Sequence, residues 1–123
     1  MSNTHLATNT HRFTKEQRLL TPEAFRGVFD SPERKLHQNY LMAFIRSNEL
    51  DKPRVGMAIT KRKVPTAVSR NLIKRLIREV FRIQSSKIEN KDIVFIVKKS
   101  IKDTNNKELK KEIINIFNKL EKK

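Results

Sequence analysis

The residues best placed to do chemistry in this chain are cations. Between Lys61 and Arg82 stand Lys61, Arg62, Lys63, Arg70, Lys74, Arg75, Arg78 and Arg82, with Glu79 as the only acid. From Ser69 to Arg82 the pattern has helical periodicity. At about 100° per residue, Leu72, Ile73, Leu76, Ile77, Val80 and Phe81 fall on one broad face. Arg70, Asn71, Lys74, Arg75, Arg78 and Arg82 fall on the other. A stripe of that density repels itself unless something negative binds it, and phosphate backbone fits. The competing reading is a solvated surface face. Ordinary exposed helices, however, mix signs to gain i,i+4 pairs, and here one acid interrupts the run.

Aromatic residues could add a second chemistry. Phe25, Phe29 and Phe44 are candidates for stacking on unpaired bases, because a ring beside cations is a sequence-tolerant platform for single strands. Their alternative place is the core, to which Phe81, Phe95 and Phe117 are assigned. Catalytic groups are scarce. His5 and His11 lie near the N-terminus and His37 is alone in a loop. No His/Asp/Glu set has metal-ligand spacing. Glu23, Asp30, Glu33, Glu49, Asp51, Glu79, Glu89 and Asp92 are scattered, with no pair suited to acid–base or two-metal work. Glu108 and Glu112 are four residues apart but interleaved with Lys107, Lys110 and Lys111, which reads as a solvated helix face. Gly27 and Gly56 are the only glycines, so a glycine-rich phosphate loop is excluded. No catalytic residue, no metal site and no tightly bound cofactor is expected in the protein.

The bulk numbers agree. The chain has 123 residues, 28 Lys+Arg against 13 Asp+Glu, and a formal net charge of +15. That excess favours a polyanionic partner, with nucleic acid ahead of an anionic membrane. Hydrophobic residues make up 37%, enough for one modest core. Cysteine is absent, which excludes disulfides and thiol chemistry and fits a reducing cytoplasm. Neither a secretory segment nor a membrane-span-sized apolar run is found. The expected localisation is cytoplasmic, with no membrane and no small-molecule substrate.

The elements that must position these groups follow from pattern. Residues 1–14 read as a disordered polar arm and 15–123 as a single RNA-binding domain. Thr21-Pro22-Glu23 starts a short helix carrying Phe25, Val28 and Phe29, closed by Asp30-Ser31-Pro32. Glu33 to Asn39 reads as a polar connection. Tyr40 to Arg46 alternates as a strand, with Leu41, Ala43 and Ile45 inward and Phe44 on the opposite face. Arg54 to Thr60 alternates again, with Val55, Met57 and Ile59 inward, and should pair with the preceding strand as an antiparallel hairpin. The basic helix runs to about Gln84, capped by Ser69 or a neighbour, and Ser85 to Lys91 is a loop. Ile93 to Val97 is apolar on both faces and should be a central strand. Asp103 or Thr104 can cap a last helix with Leu109, Ile113, Ile116 and Leu120 inward. The fold class is α+β, an α/β sandwich in the order α-β-β-(loop)-α-β-α.

These segments resemble a known family. They are Arg18-Leu19-Leu20-Thr21-Pro22-Glu23-Ala24-Phe25 with Val28-Phe29, Pro53-Arg54-Val55-Gly56, Thr60-Lys61-Arg62-Lys63, Ala67 through Glu79, and Asp92 through Val97. Together, over roughly Arg18 to Leu120, they resemble the bacterial ribonuclease P protein component. The family's Arg-Asn-Arg-x-Lys-Arg helix motif is matched except at its third position, where Leu72 replaces arginine. Leu72 projects to the edge of the apolar face, which puts one peripheral RNA contact in doubt.

The resemblance implies a fold like the second domain of ribosomal small-subunit protein five, with a left-handed crossover through the motif helix. It implies a catalytic RNA subunit that holds the active site and its magnesium ions, and precursor tRNA as substrate. The protein would contact the 5′ leader in a cleft between the sheet and the first helix. Phe25, Phe29 and Phe44 would face that leader, while Lys61, Arg62, Lys63, Arg70, Asn71, Lys74, Arg75, Arg78 and Arg82 would bind RNA. The expectation is therefore a non-catalytic subunit of an RNA-based endoribonuclease acting in tRNA 5′ maturation. The alternative is a ribosomal or other structural RNA-binding protein. A DNA-binding protein and a stand-alone nuclease are less well supported, for want of a helix-turn-helix pair and of a catalytic cluster.

Overall fold

The computed structural model describes residues 22–50, 52–101 and 106–121. The polar arm over 1–14, the Thr21 cap and the Asp103 or Thr104 cap lie outside them. Among the described residues the order is α1 (Pro22–Asp30), β1 (Arg34–His37), β2 (Leu41–Ser47), β3 (Arg54–Ala58), α2 (Ala67–Gln84), β4 (Lys91–Val97) and α3 (Asn106–Lys119), with a 3-10 turn at Ser85–Lys87.

Two expectations about the sheet are corrected. The segment Glu33 to Asn39, read as a polar connection, contains β1. Its only buried side chain is Leu36. A single apolar residue leaves no alternation to detect. The strand forms because it pairs antiparallel with β2, from Arg34 opposite Ile45 to His37 opposite Met42. The Glu33 N–H donates to the Ile45 carbonyl (2.8 Å) and the Gln38 N–H to the Leu41 carbonyl (2.8 Å), extending the ladder at both ends. Charged side chains on such an edge strand also discourage pairing with other chains.

The second correction is that β2 and β3 form no hairpin. The sheet order is β1-β2-β4-β3. β4 inserts between them, antiparallel to β2 and parallel to β3, with Ala43 and Met57 both opposite Phe95. β2 instead closes a hairpin with β1. β4, apolar on both faces, takes the central position as expected. Its parallel pairing with β3 needs a long connection, and α2 supplies it.

The two faces of the sheet are unequal. Leu41, Ala43, Ile45, Val55, Ile93 and Phe95 face the larger core, where α2 contributes Ile73, Ile77, Val80 and Phe81 and α3 contributes Leu109, Ile113, Ile116 and Phe117. Phe117 lies between the rings of Phe81 and Phe95, at 5.8 and 5.3 Å. On the other face Met42, Phe44 and Val94 form a small cluster with Val28 of α1, and Phe25 and Ile96 pack against it.

Among the described residues two acids are buried. Glu112, expected on a solvated helix face, is 5% exposed. The N–H groups of Tyr40 and Leu41 both donate to its Oε1 at 3.0 Å, and that of Tyr40 also lies 3.3 Å from Oε2. The turn between β1 and β2 thus finds its acceptor on α3, which turns this position inward. Asp92 receives a bidentate pair from Arg54 (2.9 and 2.8 Å) and the Asn48 amide at 2.9 Å. This binds the starts of β3 and β4 together. The partnership raises the Arg54 pKa above its ordinary value, chiefly through the hydrogen bond to Asp92.

Candidate nucleic-acid interface

The helix α2 carries out the division of faces that its sequence demands. Ile73, Ile77, Val80 and Phe81 are buried, whereas Asn71, Arg75 and Arg78 are exposed and Lys74 and Arg82 are partly exposed. Leu72 is half-buried, at the edge of the apolar face as projected. Thr66, rather than Ser69, is the N-cap. Its hydroxyl accepts from the Ser69 N–H at 3.2 Å. No acid occupies the first turn, so the partial positive charge of the helix start adds to that of the side chains.

Before the helix, Lys61, Arg62 and Lys63 form a turn held at both ends. The Val64 N–H donates to the Thr60 carbonyl (2.9 Å), and the Ile101 N–H donates to the Lys63 carbonyl (2.8 Å). Val64 is fully buried beneath it. Lys61 and Arg62 are exposed and Lys63 partly so. The turn therefore adds exposed cations immediately before the basic helix.

Arg70 stands apart from the others. Its Nη1 donates to the carbonyls of Val64 and Pro65, both at 2.9 Å. One guanidinium nitrogen is thus committed to holding the turn against the helix. The structure gives Arg70 a positioning task that sequence pattern could not reveal.

The three aromatic candidates do meet. Phe25 and Phe29 stack with centroids 6.3 Å apart, and Phe29 meets the Phe44 ring edge-on at 4.9 Å. Their exposures differ: Phe44 is 8% exposed and Phe29 46%. Phe44 faces away from the larger core as its alternation requires, yet α1 covers it. Phe44, expected among the leader-facing rings, is instead buried and supports the Phe29 ring. Pro22, Phe25, Arg26, Phe29 and Asp30 border a shallow, mostly apolar depression of about 430 Å³. Lys35, which pattern did not single out, places its Nζ 5.8 Å from the Phe44 centroid, within cation–π range. Its place opposite Phe44 follows only once β1 is known to be a strand.

Among the described residues no three His, Cys, Asp or Glu side chains come together as potential metal ligands. No described helix is long and apolar enough to cross a membrane.

Comparison with known proteins agrees with this geometry. The ribonuclease P family profile matches residues 13–121. The ribonuclease P protein component of Psychrobacter sp. strain PRwf-1 is 46% identical over 108 residues, covering 88% of this chain and 83% of that protein. That of Vibrio campbellii strain ATCC BAA-1116 is 44% identical over 112 residues, covering 91% of each. Among solved structures, the Staphylococcus aureus RNase P protein matches with a TM-score of 0.75 at 26% identity, over 86% of this chain and 98% of that one. The Thermotoga maritima RNase P protein matches with a TM-score of 0.70 at 25% identity, over 85% and 98%. The chain belongs to the ribonuclease P family, among its protein components.

Proposed function

We propose that this protein binds the catalytic RNA of ribonuclease P and the 5′ leader of precursor tRNA, and leaves the cleavage chemistry to the RNA. The observation that carries this reading is the two-sided helix α2. Its apolar side is sealed into the core, while Asn71, Lys74, Arg75 and Arg78 lie on the other side and the cationic Lys61–Lys63 turn precedes the helix. Such a face binds phosphates at fixed spacing and lowers the repulsion between two polyanions brought together. Phe25 and Phe29 supply ring surface to an unpaired leader, with Phe44 bracing them from below.

The catalytic magnesium would be held by the RNA, and the protein would carry no tightly bound cofactor of its own. The scattered placement of the described acids and histidines supports this division of labour. The assembled enzyme would work on precursor tRNA in the cytoplasm.

Neutralising Arg75 and Arg78 tests the reading. Each phosphate that goes unneutralised should flatten the log–log salt dependence of RNA binding by about 0.7–0.9, with the unfolding midpoint unchanged. If affinity and slope both stay at the parent's values, the face is only solvated surface. A companion assay incubates the RNA-free protein with precursor tRNA and magnesium. No cleavage should occur, and cutting at the mature 5′ end would overturn the non-catalytic role.

A further inference from the structure

We propose that Arg70 is a positioning residue, which serves RNA binding by clamping the Lys61–Lys63 turn to the start of α2. Its contribution comes through the cations of that turn rather than through a phosphate of its own. The inference rests on the reading of this chain as an RNA-binding subunit and changes the task of one cation expected on the motif face.

The helix itself sets Arg70 apart. Two turns separate it from the buried Ile77, so the two project within about 20° of each other. Arg75, by contrast, projects about 140° away from Arg70. Accordingly Arg70 is only partly exposed, while Arg75 and Arg78 are exposed. Arg70 also lies near the start of α2, which begins at Ala67. There its Nη1 reaches the carbonyls of Val64 and Pro65, at 2.9 Å each. Its own N–H donates to the Thr66 carbonyl at 3.1 Å. One residue thus bonds three successive carbonyls ahead of the helix.

The clamp closes a turn that is tied elsewhere as well. The Val64 N–H donates to the Thr60 carbonyl, and the Lys63 N–H lies 3.3 Å from the Thr60 hydroxyl. The Lys63 carbonyl accepts from Ile101, and both Val64 and Ile101 are buried. Lys61, Arg62 and Lys63 repel one another, so a loose turn would spread their charges. Ordering them in the free protein removes that cost from the binding step. Arginine suits the task. A charged donor makes the stronger hydrogen bonds, and lysine would end one bond short of Nη1.

The test is a cycle in the full chain, with affinity for the catalytic RNA measured across a salt series. Lys61→Ala/Arg62→Ala removes the exposed cations of the turn, Arg70→Ala removes the clamp, and a triple variant combines them. At 0.15 M salt a slope of 0.7–0.9 per phosphate, referred to 1 M, corresponds to about 4–6-fold in affinity for each phosphate no longer bound. Arg70→Ala should lose at least one such factor, and the triple variant should bind about as well as the turn pair. Amide exchange at Val64 and Ile101 should quicken in Arg70→Ala while the amides of β4 keep their rates. If the β4 amides quicken equally, Arg70→Lys takes the place of Arg70→Ala in the cycle and is judged by the same rule. Arg75→Ala serves as the control: its loss should add to that of the turn pair, with both exchange rates unchanged. A triple variant weaker than the turn pair by the full factor of Arg70→Ala overturns the proposal and makes Arg70 a phosphate ligand in its own right. So does Arg70→Lys binding like the parent, or a loss of affinity with Val64 and Ile101 exchanging as before. If the turn pair binds like the parent while Arg75→Ala/Arg78→Ala binds more weakly, this proposal falls and the RNA-binding reading stands. If neither pair weakens binding, both fall.

Discussion

Replacing Glu112 with alanine should destabilise the domain although the residue touches no part of the basic face. Its carboxylate is the acceptor for two N–H groups in the β1–β2 turn, at 3.0 Å each, in a setting 5% exposed. Alanine would leave both donors without that partner, the Leu41 N–H in a buried setting and the Tyr40 N–H in a part-buried one. Each unsatisfied buried donor costs about 1–3 kcal/mol, and removing a buried carboxylate returns part of that sum. The expected net loss is about 2–4 kcal/mol, or on the order of 8–16 °C in midpoint for a domain of this size. Glu112→Gln keeps one acceptor oxygen and should lose roughly half as much. Urea unfolding measures both variants, with an unchanged m value showing that the transition itself is the same. An alanine variant within about 0.5 kcal/mol of the parent would refute the reasoning and return Glu112 to the solvated helix face.

Other perturbations separate support from direct RNA binding. Arg54→Ala should cost about 3–5 kcal/mol by leaving Asp92 buried without its bidentate partner. Replacing both residues with apolar ones should recover much of that, and a double variant as unstable as the single one would contradict the pairing. Phe44→Ala should lower stability by about 3–5 kcal/mol as a buried ring. Phe29→Ala should move the midpoint little but weaken long-leader precursor by about 1–3 kcal/mol; equal binding of precursor by parent and Phe29→Ala would end the stacking role. The Ser47 N–H and hydroxyl donate to the Glu33 carboxylate, at 3.0 and 2.9 Å, and hold its pKa below the usual carboxylate range. The stability this adds is present above about pH 4.3 and is lost as pH falls through the lower folded value. Glu33→Gln should therefore flatten the stability–pH curve in that acid range, and an unaltered curve would count against the interaction.

The parts legible in the sequence were those where one face of an element differs sharply from the other. The apolar stripe of α2, with Ile73 and Ile77 against Arg75 and Arg78, fixes both the helix and its outward cations. The same holds for Leu109, Ile113, Ile116 and Leu120 near the end of the chain, and for the two-faced apolar run of β4. What escaped depends on partners distant in sequence. β1 has only Leu36 to show, and its existence rests on hydrogen bonds to β2. Glu112 looks like its lysine-flanked neighbours until the β1–β2 turn is placed beside it. The pairing of β3 could not be read from alternation, which marks the inward side of a strand but not its neighbour. Arg70 carries the same charge as Arg75, and only the nearby carbonyls of Val64 and Pro65 separate their tasks.

The sheet order carries a consequence for how the chain comes to be folded. β4 is the last strand to be made, yet it is the one to which β2 and β3 both bind. A nascent chain that has emerged only as far as Gln84 can close the β1–β2 hairpin, but β3 has no neighbour to dock on. Nor is there a finished floor for the apolar side of α2. Forming the sheet must await a strand separated from β3 by residues 59–90. Long-range, parallel pairing of this kind closes slowly. During that wait the cationic helix and its greasy underside are exposed together, in a cell crowded with RNA. Refolding should then be limited by arrival of β4 in the sheet. A destabilising change in β4, such as Val94→Ala, should slow it more than an equally costly change in β1.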